Sequence, residues 1–200
     1  MIKQVNRVDT KNCPTSTEDI EFYRENGFIQ YPNFFTKEEI KDLGDAIDDA
    51  ITCKRDRILG AENGGRGSED YERVFNQMVN LWCDYPSVKP YSFHERLAES
   101  ARRLSEGSHV RIYHDHAMIK PAGEISKETN WHQDSPYWPM EPIGSLSAWV
   151  AIDDVTTENG CLHFIPKSHK FGKLEPIALG KEGESVIKKM EEKEFEIADS

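Results

Sequence analysis

His132 and Asp134 stand two apart in the stretch NWHQDSPYW, Asn130 to Trp138, between Trp131 and Trp138. On a β-strand, residues i and i+2 face the same way, so the imidazole and the carboxylate can aim at one point. Together they supply two of the three ligands of the 2-His-1-carboxylate triad. That triad holds non-haem Fe(II) and leaves positions open for a cosubstrate and O2. The same two residues are also compatible with an ordinary polar loop, and a bare His-x-Asp pair does not choose between the readings.

The residues that follow narrow the choice. The run WHQDSPYWPMEPIGSLSAWVAIDDVTTENGCLHFIPKSHK, Trp131 to Lys170, carries an HQD triplet, then a tyrosine and a Trp-Pro pair. After these come an Ala-Trp, an acidic pair, Asn-Gly-Cys-Leu and a Ser-His-Lys turn. In this order they resemble the phytanoyl-CoA dioxygenase family of Fe(II)/2-oxoglutarate oxygenases. Two upstream stretches, HDHAMIKP and YRENGFIQYPNFFTKEEI, resemble the strand before that family's metal motif and the family's opening helix, strand and helix. The resemblance covers most of the chain, and the HQD-to-SHK block is its specific part.

The resemblance implies roles for individual residues. His132 and Asp134 match the first two iron ligands. Trp149 matches the strand tryptophan that lines the 2-oxoglutarate pocket, and Gln133 matches a position bordering the cosubstrate. His116 falls near the cosubstrate or is a polar strand residue. Lys120 ends the same strand, next to the cosubstrate or simply solvated. No catalytic residue is expected beyond the metal ligands. Trp131, Tyr137, Trp138 and the Asn76–Trp82 segment either shape the substrate side or pack in the core. His163 and the turn residue His169 read as structural, and His94 and His109 as surface or capping residues.

The implied reaction consumes O2 and 2-oxoglutarate, oxidises a C–H bond of a small molecule, and releases succinate and CO2, with ascorbate as a stimulant. Related halogenases carry a small residue in place of the carboxylate, so Asp134 favours hydroxylation or another oxidative C–H reaction. The family's third ligand, a distal histidine, and the arginine that pairs with 2-oxoglutarate are expected beyond Ser200, because no His or Arg follows Lys170. The 200 residues are therefore expected to be part of a longer chain. In a second departure, Lys167 stands where the family's turn has glycine; if that position needs φ > 0, lysine brings modest strain. The rival classes are a jelly-roll protein that binds metal or ligand without turnover, and a cupin-type isomerase or hydrolase. An arginine shortly after a distal histidine separates them from the oxygenase.

The elements that must position these residues form a helical first half and an antiparallel second half. Ser16 caps a helix that Gly27 stops, and Thr36 and Glu39 form a capping box ahead of Ile40, Leu43, Ile47 and Ile51 at helical spacing. Gly60–Asp70 is a glycine-rich loop lacking the phosphate-loop pattern. A helical pair follows, VFNQMVNLW and FHERLAESARRLSEG, the second striped by Leu97, Ala101 and Leu104. From Ser108 the pattern alternates, with turns at Pro121–Gly123, Pro142, Gly144 and Asn159-Gly160. The tail after Gly180 reads as a charged helix and a strand start. The expected fold is mainly β with α: a double-stranded β-helix (jelly roll, cupin-like) over residues 1–200 as one domain, N-terminal helices packed outside.

Composition bounds the rest. Hydrophobic residues make up 37% of the chain and the formal charge is −11, which argues against nucleic acid, whose binding rests on Lys and Arg neutralising phosphates. No apolar run reaches the roughly 20 residues of a membrane span. Cys13, Cys53, Cys83 and Cys161 show no metal or disulfide spacing and read as free thiols, which with the absence of a secretory signal makes the cytoplasm the expected compartment.

Overall fold

Two capping boxes begin the first two helices. Ser16 Oγ accepts from the Asp19 N–H, and the Asp19 carboxylate accepts from the Ser16 N–H. Thr36 and Glu39 exchange the same pair of bonds. Each box satisfies two amide donors that a helix start leaves without an internal partner. Helix α1, Thr17–Asn26, ends at Gly27, whose φ of 86° is the left-handed turn that glycine takes at little cost. Helix α2 runs Lys37–Cys53. The computed structural model that shows these elements describes residues 13–53, 76–119, 129–140, 144–177 and 186–191. The Gly60–Asp70 loop, Lys120, the turns at Pro121–Gly123 and Pro142, and most of the tail lie outside the described residues.

The chain divides into two compact units. One comprises the described parts of Met1–Thr15, Tyr31–Ser126 and Ala148–Asp154. Its core is a cluster of Ala46, Ala50, Met78, Leu81 and Val88, with Tyr85 and Ala117 packed against it. The buried residues of α2 are Leu43, Ala46 and Ala50, while Ile40 and Ile47 are half-buried. Strand β1, Asn76–Val79, pairs antiparallel with β2, His116–Ile119. Met78 stands opposite Ala117, which puts both on the core face, while His116 and Met118 are exposed.

Residues 76–79 correct the helix expected there. VFNQMVNLW is too short to separate helix from strand by periodicity, and pairing with a segment some 40 positions away decides it. Short helices α3, Leu81–Asp84, and α4, Lys89–Ser92, follow. Asp115 ties them to β2: its Oδ2 accepts from the Trp82 N–H at 2.9 Å and the Ser92 hydroxyl at 2.6 Å. Helix α5, Glu95–Leu104, is capped by the His94 ring, as one of the readings of His94 expected. Its Arg96 reaches Glu39 at 2.7 Å.

The second unit comprises the described parts of Ser16–Gln30, Lys127–Ser147 and Val155–Ser200. It carries α1, a 3-10 turn at Ser135–Tyr137, another at Ser168–Phe171, and a helical segment at 186–191. The Asn159-Gly160 turn forms: Thr156 N–H donates to Asn159 Oδ1, the Cys161 N–H returns to Thr156 O, and Gly160 has φ 97°. The segments expected as strands around it, 144–155 and 161–166, make no ladder pairs among the described residues, and neither does 108–115. Alternation records which face of a segment is apolar; a strand needs a partner as well.

The Ser-His-Lys turn locks the end of α1. The Lys167 N–H donates to Asn26 O at 2.9 Å, and His169 Nε2–H donates to Arg24 O at 2.9 Å. A Cβ at position 27 would lie 2.4 Å from His169 Nδ1, so close approach as well as positive φ demands glycine there. Lys167 itself sits at φ 68°, the left-handed conformation suspected from its place in the family's glycine turn. Glu25 receives Lys167 Nζ at 2.8 Å and Lys170 Nζ at 2.7 Å, and these hydrogen bonds hold its carboxyl at about 2, well below the ordinary 4.5.

Candidate metal centre

His132 Nε2 lies 3.3 Å from Asp134 Oδ1. The expected pair therefore converges, although the stretch is not a paired strand: Asp134 leads into the Ser135–Tyr137 turn, and Tyr137 N–H donates to Asp134 O. His132 Nδ1 donates to Asn130 O at 2.7 Å, which in the neutral ring leaves the lone pair on Nε2, the nitrogen beside the carboxylate. On the other ligand, Ser147 Oγ donates to Asp134 Oδ2 at 3.2 Å. The far donor atom of each residue is thus engaged and the near atoms face each other.

Asp134's hydrogen bond raises the His132 pKa above the ordinary histidine value, with the Asn130 carbonyl adding to the effect and partial burial opposing it. The atoms that share this proton are those a divalent ion would take in its place. Imidazole nitrogen and carboxylate oxygen are a donor set suited to Fe(II). A ligating histidine whose other ring N–H meets a backbone carbonyl is the usual outer arrangement of such centres. The residues present therefore fit two-thirds of an iron site. Among the described residues, no group of three His, Cys, Asp or Glu side chains is arranged to hold a metal ion.

Gln133, between the ligands, turns to the backbone. Its Nε2 donates to Gly172 O and its Oε1 accepts from the Leu174 N–H, both at 2.9 Å. Tyr137 does the same with one atom: its hydroxyl donates to Ile177 O at 2.6 Å and accepts from the Ile177 N–H at 3.1 Å. The Val186 N–H adds a bond to Trp131 O. Four side-chain bonds thus hold 133–137 against 172–177, where a ladder would otherwise supply backbone ones.

The other residues expected near a cosubstrate sit on the first unit: His116 exposed at the start of β2, its ring 6.1 Å from that of His114, and Trp149 45% exposed. Lys120 is outside the described residues. Trp131 is exposed and meets the His163 ring edge-on at 6.4 Å. Sequence reasoning missed Asn130 and Ser147. A backbone carbonyl leaves no trace in residue type. Ser147 lies two before Trp149 in an alternating run, but no spacing rule connects it to Asp134.

The family model for phytanoyl-CoA dioxygenase (PhyH) matches residues 23–194. The peroxisomal phytanoyl-CoA dioxygenase of Bos taurus is 24% identical over 184 residues, covering 83% of this chain and 51% of the relative. The ectoine dioxygenase of Bordetella bronchiseptica is 29% identical over 164 residues, covering 78% and 50%. The chain spans about half the length of these relatives. Among solved structures, the non-haem alpha-ketoglutarate-dependent carbocyclase SnoK from nogalamycin biosynthesis matches with a TM-score of 0.64 at 24% identity, over 79% of this chain and 58% of that one. This last likeness is one of fold, and with the family match it implies a cupin-type jelly roll. The family match spans most of the chain and includes both candidate ligands: the chain belongs to the phytanoyl-CoA dioxygenase family.

Proposed function

We propose that this chain is the part of an Fe(II)- and 2-oxoglutarate-dependent dioxygenase that carries the first two metal ligands, within a single jelly-roll domain. The observation that carries the reading is the convergence of His132 Nε2 and Asp134 Oδ1 at 3.3 Å with the outer atoms of both side chains engaged. His132 and Asp134 would hold the iron, which supplies a site where 2-oxoglutarate and O2 meet. The overall change balances as substrate C–H plus O2 plus 2-oxoglutarate giving substrate C–OH, succinate and CO2. One oxygen atom enters succinate and the other the hydroxyl.

The chain's own part is to hold the ligands in place. Asn130 O fixes which histidine nitrogen carries the lone pair, and Ser147 holds the aspartate. Trp149, His116 and Lys120 are assigned to the 2-oxoglutarate side. Gln133 is assigned to border it, with one amide N–H donated to Gly172 O and Oε1 accepting from the Leu174 N–H. The reading places the enzyme in the cytoplasm, acting on a small molecule; no helix among the described residues is long and apolar enough to cross a membrane.

Succinate formation by the complete protein, given Fe(II), ascorbate and 2-oxoglutarate, tests this reading. His132→Ala and Asp134→Ala should each reduce it by more than the roughly 10–100-fold typical of losing an outer partner. Undiminished turnover in either variant would remove the ligand assignment. An iron-loaded protein that neither binds nor consumes 2-oxoglutarate would remove the oxygenase reading.

A further inference from the structure

We infer that Ser147 is a positioning residue that decides which oxygen of Asp134 is offered to the metal. The inference rests on the iron-site reading above.

The polar contacts form one line: Asn130 O accepts from His132 Nδ1, His132 Nε2 faces Asp134 Oδ1 at 3.3 Å, and Asp134 Oδ2 accepts from Ser147 Oγ at 3.2 Å. A carboxylate has two equivalent oxygens and turns about its Cβ–Cγ bond over a broad, roughly two-fold well. The Asp134 side chain is 51% exposed. The Ser147 hydroxyl breaks the equivalence. It engages Oδ2, and Oδ1 is left on the side of the histidine lone pair. A carboxylate held this way would offer a metal ion one oxygen rather than two. The bond reaches across 13 positions, from the stretch before Trp149 to the turn that begins at Asp134.

Ser147 is exposed, so its replacement should leave the fold intact. Ser147→Thr keeps the hydroxyl; Ser147→Val matches threonine in shape and removes it. The test titrates Co(II), as an Fe(II) stand-in, into the complete apoprotein, reading affinity and the visible absorption of the bound ion. Ser147→Val should weaken Co(II) binding by about 10-fold or more and alter the absorption bands, the range seen when outer partners of metal ligands are lost. Ser147→Thr should stay within about two-fold of the parent. If Ser147→Val binds Co(II) with parental affinity and spectrum, the inference is overturned while the iron site stands. If the parent binds Co(II) no better than Asp134→Ala does, the iron site falls and the inference with it. Equal losses in Ser147→Val and Ser147→Thr would show that bulk, not the hydroxyl, matters, and would also overturn it.

Discussion

Each of the two units is held together internally by its own kind of interaction. In the first, Ala46, Ala50, Met78, Leu81 and Val88 bury apolar surface around a short antiparallel ladder. In the second, the ligand-bearing segment is held by Gln133 and Tyr137 bonding to the backbone of 172–177, and α1 is held by the Ser-His-Lys turn. Apolar burial is non-directional and tolerates small shifts. Hydrogen bonds tolerate little change in distance or angle. A segment that must present two ligand atoms 3.3 Å apart is thus fastened by the interaction that specifies position.

That contrast can be broken at three points. The largest expected effect is in the apolar core: Met78→Ala should cost about 2–5 kcal/mol in denaturant unfolding, with no change in the metal affinity of the folded protein. A parallel drop in affinity would erase the distinction between the units. Next, Tyr137→Phe deprives both the N–H and the C=O of Ile177 of a partner, a loss of about 1–3 kcal/mol. Unlike Met78→Ala, it should weaken metal binding as well, by roughly 10-fold; a stability loss with unchanged affinity would reduce Tyr137 to a simple brace.

The smallest effect is electrostatic. Glu25 is depressed in the folded chain, so its contribution is complete above its ordinary pKa of 4.5 and fades as pH falls toward about 2. A carbon-13 titration should place its folded-state midpoint near 2, and replacing Lys167 and Lys170 together with alanine should return it toward 4.5. A midpoint already near 4.5 in the parent would mean that the two exposed ion pairs do not persist in solution.

Legibility in the sequence followed the distance over which each feature acts. The Ser16 cap, the Thr36–Glu39 capping box and the stop at Gly27 involve residues at most four apart and are legible in the sequence; the Asp19 half of the first box is seen only in the structure. The His132–Asp134 pair was legible for the same reason, and the ordered block to Lys170 lent it meaning. Strand β1 was misread as helix because its four residues acquire their state from β2, far along the chain. The bonds from Gln133 and Tyr137 span 39 to 41 positions and end on backbone atoms, which no residue type announces. Lys167 is the instructive intermediate: its positive φ could be suspected only because the family's turn has glycine there.

The junction of His169 and Lys167 with α1 also bears on the order of events during synthesis. Arg24 and His169 are 145 positions apart, so the carbonyls that end the helix have no partners from that turn until residue 169 has been made. Closing so long a loop is entropically costly before the contact repays it. The Ser16 capping box can start the helix early, whereas its far end waits for the turn at residues 167–170 to be made. The turn at residues 167–170 then acts as a late latch, one whose loss would be felt chiefly as faster unfolding rather than slower folding.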